Sequence, residues 1–169
     1  MKKKYHLIIV LFSLVLVSSC KKDEETTPTF TIIGKWNATD ASGKLTTTDS
    51  KTGKPTDQDL TQKLTGVVYE FKADKTFTGT SSILAGASTT TPAIAGTYTL
   101  TGNDLKTNYK KDGKDLIEYY TVALTSSTLV LSINKDLYIK GLTESKDPNA
   151  SLIAALVIAI DLKVNCKKL

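Results

Sequence analysis

Much of the chain alternates apolar and polar side chains with a period of two, the pattern of β-strands that bury one face. The clearest example is 67–72, where Val67, Tyr69 and Phe71 share a face, followed by a turn and a returning strand that begins at Phe77. Further strands are predicted at 96–101, 105–110, 117–124 and 128–133 and, more briefly, at 137–140. The pattern therefore predicts an all-β chain.

Short turns separate these segments, which indicates local antiparallel hairpins. Asp112 and Gly113 give the strongest turn signal, because a two-residue type I′ turn needs positive φ, which Asp and Gly tolerate. Residues 31–38 add an opening strand. In total, eight or nine antiparallel strands are predicted, in an up-and-down barrel or a sandwich.

Three stretches depart from the alternation. Residues 40–63 are rich in Thr, Lys, Asp and Gly and are expected to form a long loop, either a flap or disordered. Residues 81–95 are expected to contain a mobile connection. Near the C-terminus, Asp147 and Pro148 have the pattern of a helix N-cap and first turn, but alternation over 156–167 predicts a strand. We expect a short helical turn before a closing strand, and 148–157 remains open between helix and strand.

The N-terminus has a different pattern. Three lysines precede an apolar run at 6–17, about a dozen residues, which is the length of a signal-peptide core. A membrane-spanning helix needs roughly 20 apolar residues. Ser18 and Ser19 before Cys20 resemble a bacterial lipobox. The resemblance implies cleavage between Ser19 and Cys20 and a lipid anchor of palmitate-type acyl chains on Cys20; an uncleaved membrane anchor is the alternative.

Three segments are therefore expected: a lipoprotein signal peptide at 1–19, the lipidated cysteine and a flexible tether at 20–30, and a folded domain at 31–169. The charged residues 21–25 resemble the tether of surface-exported lipoproteins of Bacteroidota. The other interpretation is a solvated spacer. We expect attachment to the outer membrane, with the cell surface favoured over the periplasmic face.

Charge and residue types exclude several kinds of function. The formal net charge of +5 falls to +2 without Lys2, Lys3 and Lys4, and the chain has no arginine, so no nucleic-acid partner is predicted. His6 is the only histidine and lies in the expected signal peptide. We therefore predict no enzyme activity, no cofactor and no metal site. The carboxylates of the expected strands and turns are interpreted as solvent-facing: Glu70, Asp74, Glu118 and Asp161.

With Cys20 lipidated, Cys166 is the one remaining thiol, so no disulfide within the chain is expected. Its position in an alternating apolar row makes Cys166 a small buried hydrophobe. A redox-active thiol or an intermolecular bridge is the alternative.

Four motifs occur in an order that resembles the lipocalin-like domain of Bacteroidota lipoproteins, over residues 31–169. The motifs lie at 34–36, 69–77, 96–100 and 127–131. The resemblance implies a small up-and-down barrel in which Gly34 and Trp36 close one end. True lipocalins stack a late arginine over that tryptophan; since this chain has none, a lysine such as Lys163 is expected to make the cation–π contact instead.

Two functions remain open. The first is binding of a small apolar ligand inside the barrel, in a cavity for which Tyr119, Tyr120 and Val122 are the candidate lining. The second is an interaction or structural lipoprotein with a solid barrel, whose loops at 40–63 and 81–95 contact a protein or glycan. The sequence names no ligand and no oligomeric state.

Overall fold

Ten strands and two helices form the part of the chain that this computed structural model describes, residues 30–81, 93–111 and 113–169. In chain order these elements are β1 (Gly34–Thr48), β2 (Pro55–Asp59), β3 (Gln62–Lys63), β4 (Val68–Phe71), β5 (Thr76–Gly79), β6 (Ile94–Thr101), β7 (Asp104–Lys111), β8 (Lys114–Leu124), β9 (Thr128–Asn134), α1 (Lys135–Glu144), α2 (Ala150–Leu156) and β10 (Val157–Lys168). In the described ranges, no helix is long and apolar enough to cross a membrane.

Eight of the strands close into an antiparallel barrel. Strands β4 to β10 pair in chain order, and β1 closes the ring by pairing with β4 on one side and β10 on the other. Strands β2 and β3 pair with β1 outside this ring. The prediction of an all-β, up-and-down barrel of eight or nine strands with a short helical turn before the last strand is confirmed, and the ring has eight strands.

The expected long loop at 40–63 is wrong. Strand β1 continues to Thr48 and turns back into β2, with Lys44 opposite Asp59. Asp57 supports this hairpin, because its carboxylate accepts a hydrogen bond from Thr46 Oγ1 at 2.7 Å and pairs with Lys44 Nζ at 2.6 Å. Strand β2 is exposed along its whole length, so it has no apolar face and its sequence gives no alternation. The predicted loop at 81–95 lies largely at 82–92, outside the described residues; β6 begins at Ile94.

The expected strand at 137–140 is also wrong, because these residues lie within α1. Asn134 is the N-cap of that helix, and its side chain accepts a hydrogen bond from Leu137 N–H at 3.0 Å. At 148–157 both interpretations hold in part, since α2 ends at Leu156 and β10 follows directly. The N-cap of α2 is Asn149 rather than Asp147; the Asp147 carboxylate accepts from Asn149 N–H instead.

The antiparallel order gives the barrel two different ends. The chain enters at β1, and Leu169 N–H returns there to donate to Lys35 O at 3.0 Å, so we call this the entry end. The opposite end carries α1, α2 and the β1–β2 hairpin, and we call it the helix end. Whatever precedes residue 30 therefore joins the barrel at the end away from the helices.

Aromatic side chains fill the entry end. Trp36 is fully buried, and its Nε1–H donates to Ile32 O at 2.7 Å. Next to it the Phe71 ring meets Phe77 and Tyr98, with ring centroids 5.9 and 5.1 Å apart. This end of the barrel is a packed core rather than an opening.

A lysine does lie over Trp36, as expected in place of the arginine, but it is Lys168 rather than Lys163. Lys168 lies directly opposite Trp36 in the β1–β10 register, and its Nζ is 5.4 Å from the ring centroid. Lys163 is opposite Ser42, five residues nearer the helix end. Gly34 leaves room for the Lys168 side chain, since a Cβ at Gly34 would lie 3.3 Å from Lys168 Cε.

Cys166 is buried in the barrel wall, with 2% of its surface exposed, as expected for a small hydrophobe. Burial, with a smaller contribution from the negative charge of Asp40, raises the pKa of the Cys166 thiol from 9.0 to about 12. Folding thus favours the neutral thiol, and the stability that this provides is present below pH 9 and lost as the pH rises to about 12.

In a Cys20→Ser variant, which keeps a single thiol, native Cys166 is expected to react with iodoacetamide at pH 8 at least about a hundredfold more slowly than in urea, because the thiolate is the nucleophile. Mass spectrometry of timed samples measures both rates. Equal native and denatured rates would contradict the burial of Cys166.

Candidate functional site

Helix α1 closes a gap in the barrel wall at the helix end. Strand β9 pairs with β8 only from Thr121 onward, so the first half of β8 lacks a strand on that side. Helix α1 lies there instead: Ser145 Oγ, just after the helix, accepts a hydrogen bond from Ile117 N–H at 2.7 Å. Gly141 permits this approach, because a Cβ at that position would lie 2.5 Å from Ile117 O.

Replacing Ser145 with alanine is expected to lower the free energy of unfolding by about 1–2 kcal/mol, because it leaves the half-buried Ile117 N–H without an acceptor. Urea denaturation measures the change. Thr143→Ala is the matched control two residues earlier, at the end of α1. The Thr143 hydroxyl is exposed and bonds only within α1, so its loss should cost at most about 0.5 kcal/mol. A Ser145→Ala effect no larger than that of Thr143→Ala would mean that this contact does not hold α1 on the barrel.

A cavity of about 240 Å³ lies between α1 and strands β7 and β8. Most of its wall is apolar, and six side chains form this part: Leu116, Ile117, Ile133, Leu137, Tyr138 and Leu142. An adjoining, more polar groove of about 510 Å³ shares Leu116, Ile117 and Ser145 with the cavity. The two together form one concave region that opens at the helix end.

Glu118 brings a carboxylate into this apolar wall. Its side chain is only 7% exposed and lines the cavity together with Tyr109. Tyr109 OH donates to Glu118 Oε1 at 2.9 Å, and Tyr120 OH donates to Oε2 at 2.7 Å. Burial, and next the negative charge of Glu118, raise the pKa of Tyr120 well above its ordinary value, so this phenol stays a hydrogen-bond donor.

The interpretation of Glu118 as solvent-facing is wrong, because its side chain is only 7% exposed. Strand β8 pairs with β7 without a register shift, so Glu118 shares the inner face with Tyr120 and Val122. Residues two positions apart on a strand share a face, so the sequence alone could have placed Glu118 inside any barrel that buries Tyr120. Thr107 lies opposite Glu118 in the register, and among the described residues its buried hydroxyl has no hydrogen-bond partner. A buried hydroxyl of this kind ordinarily binds a water or a ligand.

Tyr119 points away from Tyr120, toward α1. Its hydroxyl donates to both oxygens of Glu144, at 2.7 and 2.6 Å, and its ring lies 4.0 Å from Lys140 Nζ. Lys106 Nζ pairs with Glu144 at 2.8 Å, and this contact, followed by the Tyr119 bond, lowers the pKa of Glu144. Tyr119 thus attaches α1 to β8 while also lining the cavity.

The residues predicted as functional fall in three places. Tyr119 lines the cavity, whereas Tyr120 contacts it through Glu118 and Val122 is buried on the inner face behind both. Gly34 and Trp36 lie at the entry end, and Ser19 and Cys20 lie outside the described residues. That Tyr119, Tyr120 and Val122 contact a ligand stays a prediction. Sequence reasoning missed Glu118 and the whole contribution of α1.

Within the described ranges, no group of three or more His, Cys, Asp or Glu side chains is placed to hold a metal ion. The site offers one buried carboxylate, the half-buried ammonium of Lys111, tyrosine hydroxyls and an apolar wall. These groups can bind and orient a small molecule.

Comparison with known proteins places this barrel in a family. Residues 32–131 match the family described as lipocalin-like domain, a stretch from the segment before β1 into β9. No curated protein and no solved structure matches the chain. Since the match spans more than half of the chain, the protein belongs to the lipocalin-like domain family.

Proposed function

We propose that this protein is a lipid-anchored lipoprotein of the cell envelope that binds a small, largely apolar ligand in the cavity between α1 and the barrel. The observation that carries the proposal is this cavity, which combines six apolar side chains with a buried carboxylate. Small-molecule sites are typically concave and mostly apolar, with a few polar groups that orient the ligand. A lipocalin-like barrel is typically a binding fold rather than a catalytic one.

The size of the cavity limits the ligand. A volume of about 240 Å³ is about eight times the share of one water molecule in the liquid. A compact molecule fits this space, and a longer one would extend into the adjoining groove past Leu116 and Ser145.

The lipid anchor on Cys20 is proposed from the lipobox-like residues that precede it. With the tether at 20–30, an anchored chain would join its barrel at the entry end, so the cavity at the helix end would face away from the membrane. The proposed location is the outer membrane, with the domain at the cell surface. This location suits a protein that collects a ligand from outside the cell.

Native mass spectrometry of the full chain, purified from its envelope in mild detergent, tests the ligand. We expect a defined extra mass that disappears on denaturation. Leu142→Trp should abolish this mass by filling the cavity, whereas Leu152→Trp should keep it, because Leu152 lies on α2 and is 60% exposed. A clean apo mass in the wild type, or an extra mass retained by both variants, would contradict binding in this cavity.

The anchor needs its own test. We expect metabolic labelling by palmitate in the wild type, its loss in Cys20→Ala, and accumulation of the uncleaved precursor with globomycin. Processing that is unaffected by globomycin, with no label on the wild type, would refute the lipoprotein assignment while leaving the cavity untouched.

The β1–β2 hairpin favours a second candidate, an interaction lipoprotein. It extends beyond the ring at the helix end, and β2 is exposed throughout, as expected of a surface that meets a protein or glycan. This candidate predicts a clean apo mass together with a partner that is lost when 49–54, the tip of the hairpin, is replaced by a two-residue turn.

A further inference from the structure

We infer that the ligand of the α1 cavity carries a positively charged amino group, which the Glu118 carboxylate binds. This inference rests on the proposed ligand-binding function and adds the chemical class of the ligand.

The charge of Glu118 is the first reason. The carboxylate is 7% exposed, lines the cavity, and accepts hydrogen bonds from two tyrosine hydroxyls, one on each oxygen. Phenols that donate to both oxygens stabilise the ionised form and fix its orientation. Inside an apolar wall the attraction between this charge and a cation is stronger than in water, and an anion is repelled.

The aromatic lining is the second reason. Tyr109, Tyr119 and Tyr138 all line the cavity that contains Glu118. Tyrosine rings attract cations through their faces, and cages of aromatic rings are a recurrent way of recognising ammonium groups. The Tyr119 ring already makes such contacts with two lysines of this chain, Lys140 Nζ at 4.0 Å and Lys106 Nζ at 5.5 Å from the ring centroid, so Tyr109 and Tyr138 are the rings without such a lysine contact.

Lys111 is the opposing feature, because it lines the same cavity and would suit an anionic ligand. It is the last residue of β7, two positions nearer the turn than Tyr109, and it is half-buried rather than buried. The better buried charge is therefore that of Glu118. A cationic ligand would bind Glu118 and an anionic ligand would bind Lys111, so probes of opposite charge distinguish the two.

The probes are n-hexylammonium, 1-hexanol and hexanoate, which share one apolar chain and differ in head group. Binding to the full chain in phosphatidylcholine nanodiscs is measured by calorimetry, with protein-free nanodiscs subtracted. We expect n-hexylammonium to bind at least tenfold more tightly than 1-hexanol, and hexanoate to bind most weakly. Glu118→Gln should weaken n-hexylammonium binding at least tenfold and change 1-hexanol binding less than twofold. Glu70→Gln is the matched control: Glu70 lies on β4, outside the cavity, and loses the same charge.

The other possible results contradict either the positive charge of the ligand or the binding site itself. Equal affinity for n-hexylammonium and 1-hexanol, unchanged in Glu118→Gln, would overturn the amino group and keep the apolar site. Tightest binding of hexanoate, lost in Lys111→Met, would show an anion site instead. Binding of none of the three would overturn the proposed function as well. If Glu118→Gln does not fold, the order of the three probes on the wild type decides.

Discussion

Replacing Trp36 with alanine is expected to lower the free energy of unfolding by about 3–5 kcal/mol, a large part of the total stability of a domain of this size. Trp36 is fully buried at the entry end, so the substitution leaves a cavity in the packed core. It also removes the hydrogen bond from Nε1–H to Ile32 O and the ring beneath Lys168. Urea denaturation followed by circular dichroism measures the change, because the chain has no second tryptophan for fluorescence.

Two further variants make the Trp36 result specific. Trp36→Phe keeps an aromatic ring but leaves Ile32 O without its donor, so an intermediate loss is expected. Leu152→Ala removes an apolar side chain that is 60% exposed and should change stability by at most about 0.5 kcal/mol. Equal effects of Trp36→Ala and Leu152→Ala would contradict the closed entry end.

Replacing Gly43 with alanine is expected to destabilise the protein by roughly 3 kcal/mol or more, because the new Cβ meets backbone that cannot easily move. Gly43 lies where β1 crosses β10, with φ at +150°, and a Cβ there would be 1.9 Å from Asp161 O. The strands would have to separate at the seam that closes the barrel. The loss is measured by urea denaturation.

Gly53→Ala is the control for backbone conformation. Gly53 also has positive φ, at +68°, but a Cβ there would have no neighbour within 4 Å. It should cost only the strain of the left-handed region, about 1–2 kcal/mol. If Gly43→Ala were no more harmful than Gly53→Ala, β1 would not run against β10 at this point and the barrel would be open.

The strands that were predicted well are those whose two faces differ. In β4, β6, β7, β9 and β10, alternate positions point into the core, so the period of two is visible in the sequence. Strand β2 has no buried position, and local contacts such as those of Asp57 hold it against β1 without producing a period of two in its sequence. Helix α1 was missed because Leu137 to Lys140 is too short to separate helix from strand, and the Asn134 cap decides it.

The candidate site was harder to predict, because half of it depends on how α1 packs against the barrel, which is a tertiary contact. The parity of β8 places Glu118 inside with Tyr120, so that part could be read from the sequence. The position of α1 could not: it depends on β9 ending early and on Ser145 reaching the free edge of β8 at Ile117. Similarly, only the β1–β10 register shows that Lys168, and not Lys163, lies over Trp36.

The most direct test of the central claim, that a small molecule binds between α1 and β8, is a crystal structure of the full chain purified gently from its own host. We predict electron density for an additional molecule that contacts Leu142 on one side and the Glu118 carboxylate on the other. The contrary result is density that shows Leu142 and Tyr138 packed directly against Glu118 and Ile133, with no space between α1 and β8. That result would contradict binding in this cavity and favour the β1–β2 hairpin as the functional surface.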